Sequence, residues 1–192
     1  RDGRHLPNEW VSTRGGPSRA AYVWNKAGFD AIDPAKTEHL LGLFENSHMQ
    51  YEVDRAKDRS GEPSLTEMTE KSIRMLARNP AGFFLHVEGG RIDHAHHAGN
   101  AKRALLDTIE FSNAIRKAVA MTDPRDTLII VTADHSHVFT ISGYPHRGND
   151  ILGLVKDVPH VDGHPTAPLK DNLGIPYTTL GYQNGPGWRD AI

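Results

Sequence analysis

Eight carboxylates and imidazoles crowd into two short stretches: Glu88, Asp93, His94, His96 and His97, then Asp134, His135 and His137. Zinc is held by imidazole nitrogen and carboxylate oxygen, with one position left open where chemistry is done. Asp93 and His97 are four residues apart, so one helical turn puts both on the same face, able to hold one ion. Asp134 and His135 are adjacent, and a bend at a strand end would let both reach another. A hard cation such as magnesium prefers oxygen, which Glu88 offers. His94, His96 and His137 are then neighbours that orient ligands or meet an anionic substrate. Two cations about 3.5–4 Å apart suit phosphoryl transfer or hydrolysis. Taken singly, each group has a plain reading: an ion pair at a helix start, polar residues ending a strand, a turn carrying a carboxylate. Their coincidence, in a chain with 12 histidines, favours metal chemistry.

These groups need scaffolding at fixed places. The apolar runs 83–87 and 127–133 read as strands, each ending at one of the clusters. Neither alternates in polarity, so the expectation is a sheet covered on both faces. Ser64-Leu65-Thr66-Glu67 is a capping box that opens a helix running to Arg78, and 101–119 carries a second amphipathic helix. The order helix, strand, cluster, helix, strand, cluster predicts an α/β fold. Its central sheet is largely parallel with helices on both faces, and its metal sites lie at the strand carboxyl ends. Further strands are expected at 21–24, 40–44 and 176–182. Residues 1–21 read as loop or short helix, and 50–62 as a charged loop. Residues 142–175 form a Gly- and Pro-rich loop or accessory lobe, and Asn184-Gly185-Pro186-Gly187 reads as a turn.

Bulk properties exclude several classes. The 192 residues carry a formal charge of -2 with pI near 6.7, and no long basic run suggests nucleic-acid binding. Mean hydropathy is -0.53, and no apolar run approaches the length of a membrane-spanning helix. Cysteine is absent, so thiolate ligands and a cysteine nucleophile are excluded within these residues. No phosphate-binding glycine loop with its lysine is present. The opening Arg1-Asp2-Gly3-Arg4 reads as internal sequence.

The run Val87-Glu88-Gly89-Gly90-Arg91-Ile92-Asp93-His94, then His97, with Thr132-Ala133-Asp134-His135-Ser136-His137 downstream, closely resembles alkaline phosphatases of the animal branch. Tyr22-Val23-Trp24-Asn25, Gly42-Leu43-Phe44-Glu45, Met68-Thr69-Glu70 and Arg78-Asn79-Pro80 extend the likeness over most of the chain. The resemblance implies that Asp93 and His97 bind one zinc, Asp134 and His135 a second, and Glu88 a magnesium. His94 and His137 stand near the metals. Phe44 (through its carbonyl), Glu45 and Glu62 match part of a peripheral calcium site, with Glu62 where mammalian members have aspartate. The implied reaction is hydrolysis of phosphate monoesters through a phosphoserine intermediate, releasing inorganic phosphate. The implied setting is a homodimer at the cell surface or outside the cell, often on a lipid anchor. Residues 1–141 would be part of the catalytic domain, 142–175 the start of a crown-like region or a long loop, and 176–192 its strand and turn.

The family's serine nucleophile, phosphate-clamping arginine, shared aspartate and last zinc histidine match nothing here, so these residues alone are expected to be inactive. Ser136, although between two histidines, is not in the nucleophile's segment. The competing expectations are a phosphodiesterase- or sulfatase-like two-metal hydrolase, and a non-catalytic metal-binding protein on the same scaffold.

Overall fold

The structure, a computed structural model, describes residues 2–157 and 167–183; the expected turn at 184–187 lies outside them. The elements in order are α1 (Leu6–Thr13), β1 (Ala20–Val23), α2 (Lys26–Ala31), β2 (His39–Gly42), α3 (Glu52–Arg55), α4 (Leu65–Leu76), α5 (Arg91–His97), α6 (Ala101–Met121), β3 (Phe139–Ile141) and β4 (Leu180–Tyr182). Two compact units are built from them. The first holds the residues up to Arg91 with Leu106–Val131, and the second holds Ile92–Leu105 with the residues from Thr132 onward.

In the first unit β1 and β2 pair in parallel, Ala20 opposite His39 and Val23 opposite Gly42. The connection between them carries α2, as a parallel crossover requires. Asn25 starts α2 by accepting the Gly28 N–H at 2.8 Å, and Phe29 from α2 is buried edge-on against Phe44. Helix α4 opens on the expected capping box: the Ser64 N–H donates to Glu67 at 2.8 Å and the Glu67 N–H to Ser64 Oγ at 3.2 Å. Thr69 and Ile73 form its buried face. Lys71 of α4 lies over the Phe29 ring in the β1–β2 crossover, and just past the helix end Arg78 donates to the Pro34 and Thr37 carbonyls there at 2.7 and 2.8 Å. The charged stretch 50–62, expected as loop, contains the single-turn helix α3. Its first N–H donates to Asp107 at 3.2 Å, and Glu52 holds Arg55 through two bonds of 2.8 Å.

The fold is mixed α/β with a parallel sheet, as the sequence indicates, but the two strands expected at 83–87 and 127–133 are not paired. No ladder partner for either is found among the described residues. Phe84, Leu128 and Ile130 are 89%, 83% and 77% exposed. With Ile73 of α4 and Phe111 and Ile115 of α6 these segments line an open apolar cavity of about 1030 Å³. Apolar composition predicts burial, whereas a strand exists only through hydrogen bonds to a neighbour.

The second unit is organised by α5 and by the antiparallel pair β3–β4, with Phe139 opposite Tyr182. Single bridges Leu154–Thr178, Lys156–Pro168 and Lys170–Pro176 hold its irregular part around the buried Val155. The strand expected over 176–182 is laddered only at Leu180–Tyr182. Among the described residues no helix is long and apolar enough to cross a membrane.

Candidate metal centres

Five of the side chains singled out by the sequence converge in the second unit. One turn of α5 places His97 Nε2 3.4 Å from Asp93 Oδ2. The segment leading into β3 brings His135 Nε2 to 4.0 Å and His137 Nε2 to 3.7 Å from Asp93 Oδ1. His135 Nε2 is also 3.4 Å from Asp134 Oδ2. These gaps are too long for good hydrogen bonds. The two of 3.4 Å, His97–Asp93 and His135–Asp134, are near the separation of about 3.3 Å expected between two donors that share a tetrahedral zinc at 2.0–2.1 Å. Asp93 Oδ1 is buried with no hydrogen-bond partner, an expensive state unless a cation or a proton offsets it. The His97 and His135 side chains are 66% and 56% exposed, so the cluster opens to solvent. Asp134 is the outermost member at 86%.

Ring tautomers follow from the hydrogen bonds. His135 Nδ1 meets the Ser136 carbonyl at 2.8 Å, so Nδ1 carries the proton and, in the neutral ring, Nε2 keeps its lone pair facing both aspartates. His137 is arranged in the opposite sense. Its Nδ1 accepts the Val138 N–H at 3.0 Å, so Nε2 carries the hydrogen, and Nε2 is the atom directed at Asp93. Three donor atoms of Asp93, His97 and His137 lie within 4.8 Å of one another, yet the neutral His137 ring in this tautomer has no free lone pair there for a metal. The Ser136 carbonyl, then Asp134 and Asp93, raise the His135 pKa above its ordinary value.

Behind this face, His96 stacks on His137 with ring centroids 5.2 Å apart, and its Nδ1 lies 2.9 Å from the Tyr182 hydroxyl. Burial and the neighbouring His137 push His96 below its usual pKa, towards the neutral ring. Tyr182 was not selected by sequence reasoning. It is 86 residues from His96, and only the fold of β4 reveals it.

Glu88 belongs to the first unit. It borders a small cavity of about 100 Å³ shared with Glu62, Arg55, Asp107 and Glu110. A Cβ at Gly90 would lie 3.3 Å from Glu88 Oε1, so this glycine leaves the carboxylate room. The Arg91 guanidinium lies 3.7 Å over the Tyr51 ring. Burial lifts the Asp107 carboxyl to a pKa of about 6 in spite of the Glu52 N–H it accepts.

The first unit also gathers Glu45, Asp58 and Glu62, whose donor oxygens lie within 4.8 Å of one another. Glu62 is 2% exposed. Its Oε1 accepts the Gln50 N–H at 2.6 Å, and its Oε2 is buried without a partner. Burial raises the Glu62 pKa, and the charges of Glu45 and Asp58 add to the rise. This donor set of hard oxygens fits calcium and contains no nitrogen that would favour zinc.

A family model and curated relatives match nearly the whole chain. The family model described as Alkaline phosphatase matches residues 1–191. The tissue-nonspecific alkaline phosphatase isozyme of Rattus norvegicus is 47% identical over 188 residues, covering 98% of this chain and 33% of its own length. The alkaline phosphatase of Gadus morhua is 45% identical over 189 residues, covering 98% and 37%. The crystal structure of a cold-active alkaline phosphatase from a psychrophilic Shewanella sp. aligns over 58% of this chain and 25% of that one, at 28% identity and a TM-score of 0.46. This chain therefore spans about a third of the length of its curated relatives, and it belongs to the alkaline phosphatase family.

Proposed function

We propose that the full-length protein is a metal-dependent phosphomonoesterase that works through a phosphoserine intermediate. The observation that carries this reading is Asp93 Oδ1, buried without a hydrogen-bond partner and facing imidazole nitrogens at 3.7–4.0 Å, in a chain of this family. Asp93 and His97 hold one zinc, Asp134 and His135 a second, and Glu88 contributes to a magnesium site. Bound there, the ions neutralise phosphate charge and lower the pKa of a coordinated water or hydroxyl.

The chain's own residues do the positioning. The Ser136 carbonyl fixes the His135 ring with Nε2 free. The Val138 N–H fixes His137 with its Nε2 hydrogen towards Asp93, so His137 supports that carboxylate rather than competing for the ion. By the same reading His94 stands near the metals. Phe44, Glu45 and Glu62 hold a peripheral calcium. The nucleophilic serine and the remaining ligands are assigned to sequence outside the part of the relatives matched here, and this chain by itself is expected to bind zinc weakly and to turn over no substrate. We extend the reading to a homodimer outside the cell or at its surface, carried in the complete protein by a lipid anchor. Residues 1–141 are assigned to its catalytic domain and 142–192 to the start of a crown-like region.

Activity profiling of the full-length protein tests the reaction class. Expected is hydrolysis of aryl phosphate monoesters well ahead of phosphate diesters and sulfate esters. A preference for diesters or sulfates would overturn the assignment.

A further inference from the structure

The resemblance assigns Phe44, Glu45 and Glu62 to calcium, but a third carboxylate shares that space. Asp58 lies in the turn after α3, where its N–H donates to the Arg55 carbonyl at 3.1 Å. Gly61 then takes a left-handed φ of +70°, a conformation that side-chain-bearing residues rarely adopt. The next residue, Glu62, is almost completely buried. Asp58 Oδ2 and Glu62 Oε2 are each buried with no hydrogen-bond partner. Among the described residues none of the three carboxylates forms an ion pair with a lysine or arginine. Glu45 is held by the Gln50 side-chain amide at 3.0 Å, and Gln50 also donates its main-chain N–H to Glu62. Carboxylates that repel one another and leave buried oxygens unsatisfied call for a cation, and calcium accepts several oxygens in irregular geometry.

We propose that Asp58 is a direct calcium ligand beside Glu45 and Glu62, so that the ion clamps the 56–61 turn onto the body of the first unit. The inference rests on the calcium reading of Phe44, Glu45 and Glu62 and adds a donor to it. Like charge sets the sign of its consequences. Without calcium, removing the Asp58 charge relieves repulsion against Glu62, and with calcium the same change removes a ligand.

The test uses full-length protein with its zinc and magnesium sites filled. Calcium chloride is titrated calorimetrically into wild type, D58N and E62Q, and each is melted in calcium-free buffer and in calcium. Expected for D58N is calcium affinity lower by at least about tenfold, with a Tm in calcium-free buffer no lower than wild type and a smaller rise on adding calcium. E62Q loses at least as much affinity. A wild type that neither binds calcium nor gains stability from it overturns the calcium reading and the Asp58 role together. Loss of binding in E62Q with unchanged binding in D58N overturns the Asp58 role alone. An equal Tm loss in calcium-free buffer and in calcium, with normal calcium affinity, makes Asp58 merely structural and also overturns it. Tryptic cleavage of wild type after Lys57 and Arg59 gives a readout that needs no variant. Calcium is expected to slow it severalfold, and indifference to calcium contradicts the clamp.

Discussion

His135 and His137 are separated by one serine, yet their rings are set for different work. One has its Nδ1 hydrogen on a carbonyl and its Nε2 free; the other accepts a main-chain N–H at Nδ1. The expected outcome is a split between the two alanine variants of the full-length protein. H135A loses one bound zinc, whereas H137A keeps the ion count and loses affinity by about 10–100-fold, the range for residues that orient ligands. Zinc counting by mass spectrometry under a chelator series reads both, and equal loss of an ion in each would refute the tautomer argument. Asp107 makes a separate prediction. Its carboxyl is raised to about 6 by burial, so the folded state holds more protons than the unfolded chain above the ordinary carboxylate range. Stability from this group is therefore greatest at low pH, falls as pH rises from about 4 through 6, and stays reduced above. D107N is expected to be the more stable protein at pH 8, by on the order of 1 kcal/mol after solvent screening, with the difference gone by pH 4. Melting curves across that range would show it. At this scale the sequence exposes residue type and short spacing, which is how Glu88, Asp93 and His97 can be read directly. Asp58 and Tyr182 cannot be read that way. One needs the left-handed backbone at Gly61 and the other a strand from far along the chain.

Elements were legible where their determinants are local. The capping box of α4 uses Ser64 and Glu67, three residues apart, and appears in the structure with both reciprocal bonds. S64A is expected to lose about 1 kcal/mol in denaturant unfolding, while S64D, which restores the acceptor, loses much less. Helix α6 was legible from its periodicity, and β1 and β2 from short apolar runs bounded by polar residues. Helix α3 was not, because Glu52-Val53-Asp54-Arg55 has no apolar face. It forms through the Glu52–Arg55 pair and the bond to Asp107, a residue 55 positions on. Segments 83–87 and 127–133 fail in the opposite direction. Their apolarity is real, but pairing depends on a neighbour that no local pattern encodes, and their faces stay open on the cavity beside α4 and α6.

At the scale of the whole molecule, the 192 residues account for about a third of each curated relative and gather two clusters of side chains able to chelate a metal ion. The second unit presents the imidazole-rich cluster, and the first presents Glu88 and the oxygen-only cluster of Glu45, Asp58 and Glu62. Nitrogen with oxygen in one unit and oxygen alone in the other is the division by which zinc is separated from magnesium and calcium. The central claim is that Asp93, His97, Asp134 and His135 hold the zinc on which phosphate-ester hydrolysis depends. It is tested most directly by zinc content and aryl phosphate turnover measured together, as zinc is returned to chelated full-length protein. The expected result is turnover that rises with bound zinc in the wild type and stays near zero in the D93A/H97A double variant, which fails to retain its zinc. Full turnover in the zinc-free protein, or a double variant that keeps both its zinc and its activity, would contradict the account.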